Sequence, residues 1–513
     1  MRPGKIESIL LGTIVSATLV FHGLAYSLPL EAGISQLIPR SGCRTVNVGL
    51  GDGCGALAAK CAISANDFTK YNPGDKLCST LQVGQKVCCT SGGLAVPEKG
   101  SDGSCASYKV QDGETCAVIA ASNAITTKKI ESYNEDTWGW TGCSRIQKGA
   151  NICLSGGTPP LPATVKNAVC GPQVSGTVQP KNGTKLADLN PCPLNSCCDV
   201  WGQCGITSEY CTDTGTGAPG TAAAGTNGCI SNCGTDIANN GSAPSTFRRI
   251  AYWESFGMDR SCLNLGVNQI DTSKYTHVHF AFGAVSSSFE VDIDKYRVAF
   301  NQFVQLKGVK RIVSLGGWAF STENATYNVF RQAVTSNNRE SFATNVASFV
   351  KEWDLDGVDF DWDYPGEPDI LVADMDAALD YWVYMTYDLH GQWDHGSSWS
   401  DPGCPGGNCL RSHVNLTETL NSLAMITKAG VKSNKVVVGL SNYGRSFQMT
   451  SAGCTGPMCT YTGKESGATP GRCTNTPGLL ADAEIYEIIK NDKTAKAWVD
   501  KDSNSNILVY DSD

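Results

Sequence analysis

Beyond residue 27 the 513-residue chain has no run of about 18 uninterrupted apolar residues, so no later segment has the length of a membrane-crossing helix. Charge is also scarce: Asp, Glu, Lys and Arg make up 17%, below the globular average of about 25%. A basic excess is missing altogether. Forty Lys plus Arg against 49 Asp plus Glu leave a formal charge of −9, which disfavours a nucleic-acid binder needing a basic stripe. Apolar residues, at 41%, are too many for a disordered chain. Cysteine is plentiful instead. Of 24 cysteines, 18 precede residue 240 and 6 follow it. That asymmetry excludes one uniform domain, and the crowding argues against the reducing cytosol. At roughly 100–200 residues per domain, the length points to three to five domains. The front reads as small disulfide-stapled modules. The back, about 270 residues, is long enough for one large core.

Residues 1–27 carry Arg2 and Lys5 ahead of an apolar stretch at 9–21 diluted by Gly, Thr and Ser. This fits a secretory signal peptide cleaved near 25–27, with an N-terminal anchor as the alternative. The expectation is a secreted protein, extracellular or associated with a cell wall, and free of the membrane after cleavage. In that setting the Asn-x-Ser/Thr triplets at Asn182, Asn240, Asn324 and Asn415 are glycan acceptors by pattern. Gly-, Ser-, Pro- or Ala-rich breaks at 91–104, 156–163 and 214–226 divide the rest into segments 43–90, 105–155, 170–213, a linker 214–246, and 247–513.

Segment 105–155 reads as strand, helix, helix, strand. Tyr108 and Val110 alternate, Gly113 marks a turn, 115–123 and 130–133 are helical, and 150–154 returns as a strand. Four cysteines would staple so small a unit. Its Tyr108-x-Val110-x-x-Gly113-x-Thr115 entry, Ile130-Glu131-x-Tyr133-Asn134 centre and Gly149-x-x-Ile152-Cys153-Leu154 exit resemble a LysM domain. The resemblance implies a binder of N-acetylglucosamine polymers. Segment 43–90 repeats the plan: Asp52-Gly53 parallels Asp112-Gly113, Tyr71-Asn72 parallels Tyr133-Asn134, and 84–88 parallels 149–153. It resembles a diverged copy, a generic cysteine-rich spacer being the alternative.

Segment 170–213 places Cys192, the adjacent pair Cys197 and Cys198, Cys204 and Cys211 downstream of Cys170. This spacing is similar to the hevein-type chitin-binding module, and these six cysteines are expected in disulfides. A sugar ring packs on an exposed aromatic while a short polar group bonds the N-acetyl. By the resemblance Trp201 and Tyr210 are the aromatics, and Asp199 stands where many members carry Ser. A zinc site is the competing reading of the cysteines.

From residue 248 the pattern becomes apolar runs at 250–256, 277–285, 311–317, 357–362, 381–387, 436–440 and 507–510. Helix candidates at 295–305, 341–352, 416–429 and 482–491 lie between them. Such alternation predicts an α/β fold, a (β/α)8 TIM barrel whose chemistry gathers at the strands' carboxyl ends. Asp359, Asp361 and Asp363 alternate, so period two puts all three on one face of a strand. Carboxylates so close cannot all ionise, and one should stay protonated near neutrality. That is what a glycosidase acid requires. A Ca²⁺ or Mg²⁺ site is the alternative.

The Asp356-Gly-Val-Asp359-Phe-Asp361-Trp-Asp363 motif resembles the active-site strand of glycoside hydrolase family 18, the chitinases. Ser314-Leu-Gly316-Gly317-Trp318 is similar to the family's third strand and Tyr384-Met385-Thr386-Tyr387-Asp388 to its sixth, with Tyr252 and Phe282 in the runs matching the first two. The resemblance implies substrate-assisted, retaining hydrolysis of chitin and chitooligosaccharides. Asp363 would be the acid. Asp361 would orient the acetamido group, with Asp359 behind it sharing a proton, and Tyr387 and Asp388 would touch the same group. Tyr252, Phe282, Gly316, Gly317, Trp318 and Met385 would line the substrate site. No cofactor, metal or nucleic acid is implied, and a monomer is expected. The order of modules further resembles fungal chitinases related to killer-toxin subunits. Three departures stand out. The family's acid is Glu, not Asp. About 17 residues separate Asp363 from the 381–387 run, too few for a strand and its helices. The chain stops before a final sugar-stacking Trp and helix. An incomplete barrel is therefore expected, and with it either an impaired chitin-binding lectin or a shortened version of an active enzyme.

Overall fold

The computed structural model describes residues 42–511 except 75, 182, 216–223, 242, 364–371 and 402. The segment read as a signal peptide, Asn182 and the centre of the Gly/Ala/Thr stretch lie outside the described residues. Two compact units result. One holds the described residues up to Lys99 with Glu114–Ile130, and the other holds Gly100–Gly113 with those from Glu131.

In the first unit strand Thr45–Asn47 pairs antiparallel with Lys86–Cys88 around helices Cys54–Cys61 and Ala65–Tyr71. Leu57, Phe68 and Val87 fill a core too small to stand alone, and disulfides Cys43–Cys88, Cys54–Cys78 and Cys61–Cys89 brace it. Helix Cys116–Ser122, capped by Thr115 through the Val118 amide, belongs to this unit as well. In the second unit strands Ser107–Lys109 and Asn151–Cys153 pair in the same antiparallel sense.

The repeated Tyr-Asn pair has a structural cause. The Asn72 side-chain amide donates to the Cys88 carbonyl (2.7 Å) and its oxygen accepts the Cys88 amide (2.6 Å). Asn134 does the same to Cys153, at 2.8 and 2.7 Å, and is fully buried. Only a side chain with donor and acceptor side by side can satisfy both backbone groups of a returning strand.

Next comes a disulfide knot of three short strands, with Cys197–Asp199 between Cys204–Gly205 and Cys229–Ser231. Its bridges are Cys170–Cys198, Cys192–Cys204, Cys197–Cys211 and Cys229–Cys233. The zinc alternative fails on chemistry. The Cys170, Cys192 and Cys198 sulfurs lie close together, but each is spent in a disulfide. The knot also reaches past residue 213. The Cys229 amide bonds Thr212 and the Gly234 amide bonds Cys211, so the later part of the 214–246 segment is woven back into the module.

The large domain is built on a parallel sheet in which Ile250–Glu254, His277–Val285, Lys310–Gly316 and Gly357–Asp361 lie side by side, with Val291–Asp292 added antiparallel. Period two sorts its residues. Trp253, Phe280, Val313 and Leu315 face helices Arg297–Phe303 and Arg339–Glu352 and form the core with Phe300, Phe303, Phe342 and Val346. Tyr252, His279, Ser314 and Asp359 lie on the other face. A second parallel pair, Trp382–Tyr384 with Val436–Val438, forms separately.

The barrel is not closed among the described residues. Between Asp361 and Trp382 they contain one helix, Val372–Ala378, and no strand, so each parallel group keeps an open edge. Phe360 on one edge and Leu440 beyond the other stay 48% and 89% exposed. The final run differs from expectation too: Ser505–Val509 turns back antiparallel on Lys496–Asp500 instead of joining a barrel. Among the described residues no cysteine is free, and Cys262–Cys473 ties the loop after the first strand to the late part of the domain.

Asn134→Ala strands two buried backbone groups, at a cost of about 1–3 kcal/mol. Hydrogen exchange of the Cys153 amide in the full chain should quicken by roughly 5- to 150-fold, with the Gly357–Asp361 strand unaffected.

Candidate functional site

Asp359 gathers three side-chain partners on one oxygen. Its Oδ2 accepts from the Tyr252 hydroxyl (2.8 Å) and the Ser314 hydroxyl (2.6 Å), and His279 Nδ1 stands at 3.2 Å. The register explains the convergence, since Ser314 is directly opposite Asp359 and Tyr252 is opposite His279. His279 is held from its far side by the Tyr381 hydroxyl at 2.9 Å from Nε2. Burial alone would push Asp359 up, but the bonds from His279, Ser314 and Tyr252 win and hold it below the ordinary carboxylate range. Asp359 is the ionised member of the stack. The phenols of Tyr252 and Tyr381 are pushed upward by burial and by this same carboxylate.

Two residues along the strand, Asp361 behaves oppositely. Burial first, then the charges of Asp363 and Asp359, push it up to about 7. Asp363 is 8% exposed and raised by burial, with its amide donating to Ser321 Oγ at 3.0 Å. The glycines make this geometry possible. A β-carbon on Gly316, at φ +109°, would sit 2.1 Å from the Asp361 carbonyl, and one on Gly317 would sit 2.8 Å from the Phe282 ring. The Gly317 amide instead bonds the Asp361 carbonyl at 2.8 Å. Phe282 is half-buried, while Trp318 and Met385 are exposed.

Tyr387 joins this group from the second parallel pair. It is pushed upward by burial, then by Asp361 and Asp388, with Asp363 also acting on it. A β-carbon on Gly439 would be 2.7 Å from its ring. Asp388, in the left-handed region at φ +55°, is spoken for otherwise. Arg445 grips both its oxygens (2.8 and 2.5 Å), Tyr443 donates at 2.7 Å, and His413 stands at 3.4 Å. Despite burial these bonds hold it well below the carboxylate range. It therefore positions the Tyr387 corner with its carboxylate already satisfied. Nearby, His390 bridges Asp394 (2.7 Å) and Glu418 (2.8 Å), which raise it to about 9 against the opposing effect of burial.

In the knot Trp201 is 43% exposed and Tyr210 is half-buried over Gly205. Asp199 corrects the expectation that it meets ligand. It is fully buried, and its Oδ1 accepts the Trp201 amide (2.9 Å) and the Gln203 amide (2.8 Å), shaping the loop that presents Trp201.

His279, Ser314, Tyr381, Tyr443 and Arg445 were not singled out as functional from sequence. His279 could have been, because it is a polar residue alternating with apolar ones inside a strand-like run.

Asp361 carries a folded-state value near 7 against about 3.9 unfolded, so ionising it opposes folding as pH rises from about 4 to 7. Thermal melts of the full chain should show Asp361→Asn gaining on the wild type across that interval, by at most about 1.4 kcal/mol per pH unit, and levelling above pH 8. A difference independent of pH contradicts this assignment.

The family "Glycosyl hydrolases family 18" matches residues 248–376 and 367–513, and "LysM domain" matches 46–90 and 108–139. A secreted chitinase, LysM12, of Penicillium expansum is 50% identical over 92% of this chain and 35% of its own length. The killer toxin subunits alpha/beta of Kluyveromyces lactis are 36% identical over 88% of this chain and 41% of theirs. The chain thus spans well under half the length of these curated relatives. A group IV chitinase of Ostrinia furnacalis superposes at TM-score 0.44 with 22% identity, over 52% of this chain and 85% of that one. With the family match covering residues 248 to 513 of 513, the chain belongs to glycosyl hydrolase family 18.

Proposed function

We propose that this chain is a secreted, chitin-binding chitinase that cleaves β-1,4 N-acetylglucosamine linkages with retention. The observation that carries the reading is the split along one strand and just past its end, where Asp359 is held ionised while Asp361 is pushed to about 7 and Asp363 is also raised. A carboxyl that keeps a proton near neutrality, beside a second one shifted the same way, is what acid-assisted glycoside cleavage needs. In the reaction the substrate's acetamido oxygen bonds to the anomeric carbon as the bond to the leaving oxygen breaks. Asp363 gives its proton to that oxygen. The oxazolinium ion so formed is positive at nitrogen, and Asp361 and Tyr387 face it. Water then adds to the anomeric carbon as that carbon's bond to the acetamido oxygen breaks, and Asp363 takes the water's proton. The LysM repeats and the Trp201 and Tyr210 face of the knot would hold the polymer. The knot is read as hevein-type on its cysteine spacing.

A chitin-binding lectin is the second reading, and two observations favour it. Asp363 is one methylene shorter than the family's Glu, which retracts the carboxyl by about 1.5 Å. Among the described residues the parallel sheet also keeps an open edge at the strand that leads to it. Misplacement near 1 Å can cost about 100-fold in rate.

Release from a fluorogenic chitotrioside separates the readings. Asp363→Glu should raise kcat by about 10- to 100-fold with KM little changed, and Asp363→Asn should abolish turnover. Sedimentation with insoluble chitin, in the absence of turnover by wild type and Asp363→Glu alike, supports the lectin.

A further inference from the structure

The C-terminal end of helix Leu416–Lys428 carries groups that the carboxylate site does not use. They meet the disulfide knot. The Lys428 ammonium donates to the carbonyls of Asn232 (2.7 Å) and Gly234, and lies 3.2 Å from Cys197 Sγ. Its burial there lowers its proton affinity. Two carbonyls of the helix's last turn receive side-chain amides, and the Thr427 carbonyl also accepts the Gly430 amide. Asn195 of the knot bonds Lys428 O at 3.0 Å and Asn239 bonds Thr427 O at 2.6 Å. The Ala238 amide adds a bond to Thr427 Oγ1 at 3.0 Å. Around the lysine Gly205 and Ile206 face Ala424 and Met425.

These contacts fit one another chemically. A helix C-terminus presents bare carbonyls and a partial negative charge, and the knot offers amide donors to it. The knot in turn has carbonyls turned outward in its Cys229–Cys233 loop, and the helix offers an ammonium to those. Because Cys229–Ser231 is a strand of the knot itself, residues from 228 to 240 run from the module's sheet straight onto the helix end.

We infer that the knot is a fixed extension of the hydrolase domain, docked on the end of helix Leu416–Lys428, with Lys428 as the positioning residue. Its Trp201 face is then held at a constant place relative to the carboxylate strand. A polymer gripped there is delivered in one orientation; this last clause rests on the chitin reading above.

Hydrogen exchange by mass spectrometry on the full chain tests the dock without requiring activity. In the wild type, residues 234–240 should exchange slowly. Lys428→Glu and, from the other side, Asn195→Ala should each speed that segment about 10-fold or more, leaving strand Gly357–Asp361 protected. Fast exchange of 234–240 in the wild type, or no change in either variant, overturns the dock. If Lys428→Glu also exposes Gly357–Asp361, the domain has unfolded and Asn195→Ala decides. A companion assay compares release from insoluble chitin with release from a soluble chitotrioside. Undocking should lower the first several-fold and spare the second. Absence of turnover on both would sink the hydrolase reading and leave the exchange result standing.

Discussion

Tyr252, His279 and Ser314 converge on a single oxygen of Asp359, and much of the site follows from that convergence. Three donors stabilise one charge where burial would otherwise remove it. Its neighbour two residues along, Asp361, is raised first by burial and then by the charges of Asp363 and of ionised Asp359, so holding a proton is favoured there. The fold supplies the donors from three different strands. Each must point to the same face, so the register of the parallel sheet and the electrostatics of the site are one constraint. The opposite face is free to be wholly apolar, and it packs Phe280, Val313 and Leu315 against the helices.

The remaining geometry serves the same end. Gly316 and Gly317 give up side chains so that the Asp361 carbonyl can approach and be bonded. Arg445 and Tyr443 absorb the charge of Asp388, so that this carboxylate adds no unpaired anion beside Tyr387. Charges are thus paid off locally at Asp359 and Asp388, and the carboxyls with raised proton affinity, Asp361 and Asp363, are left without such partners among the described residues. Further out, the helix that carries Glu418 toward His390 ends at Lys428, which ties the same scaffold to the disulfide knot.

Much of this was legible in the sequence because period two is a local property. The alternation of Asp359 and Asp361 places them on one face without any tertiary knowledge, and their closeness implies a raised carboxyl, although burial proves the larger cause. The first four strands were found nearly to the residue, since their apolar runs are bounded by polar turns. Three things were not legible. The partners of Asp359 come from segments 45 to 107 residues away, and a lone His or Ser inside an apolar run carries no mark of what it meets. The resemblance puts Asp199 among the chitin-binding residues, but a short acidic side chain serves equally well as an internal cap for backbone amides, and it does so here. The stretch from 214 read as a tether by composition, yet the cysteines at its far end return it to the knot. The 507–510 run looked like one more barrel strand because a hairpin arm and a barrel strand share the same apolar pattern.

The central claim is that burial, joined by the charges of Asp363 and Asp359, keeps a proton on Asp361. It is tested most directly by carbon-13 titration of the Asp361 carboxyl in the full chain, alone and with Asp359→Asn. The account predicts a midpoint near 7 in the wild type and a downward move when the Asp359 charge is removed. A wild-type midpoint near the ordinary value of about 4, or one that does not fall in Asp359→Asn, would contradict it.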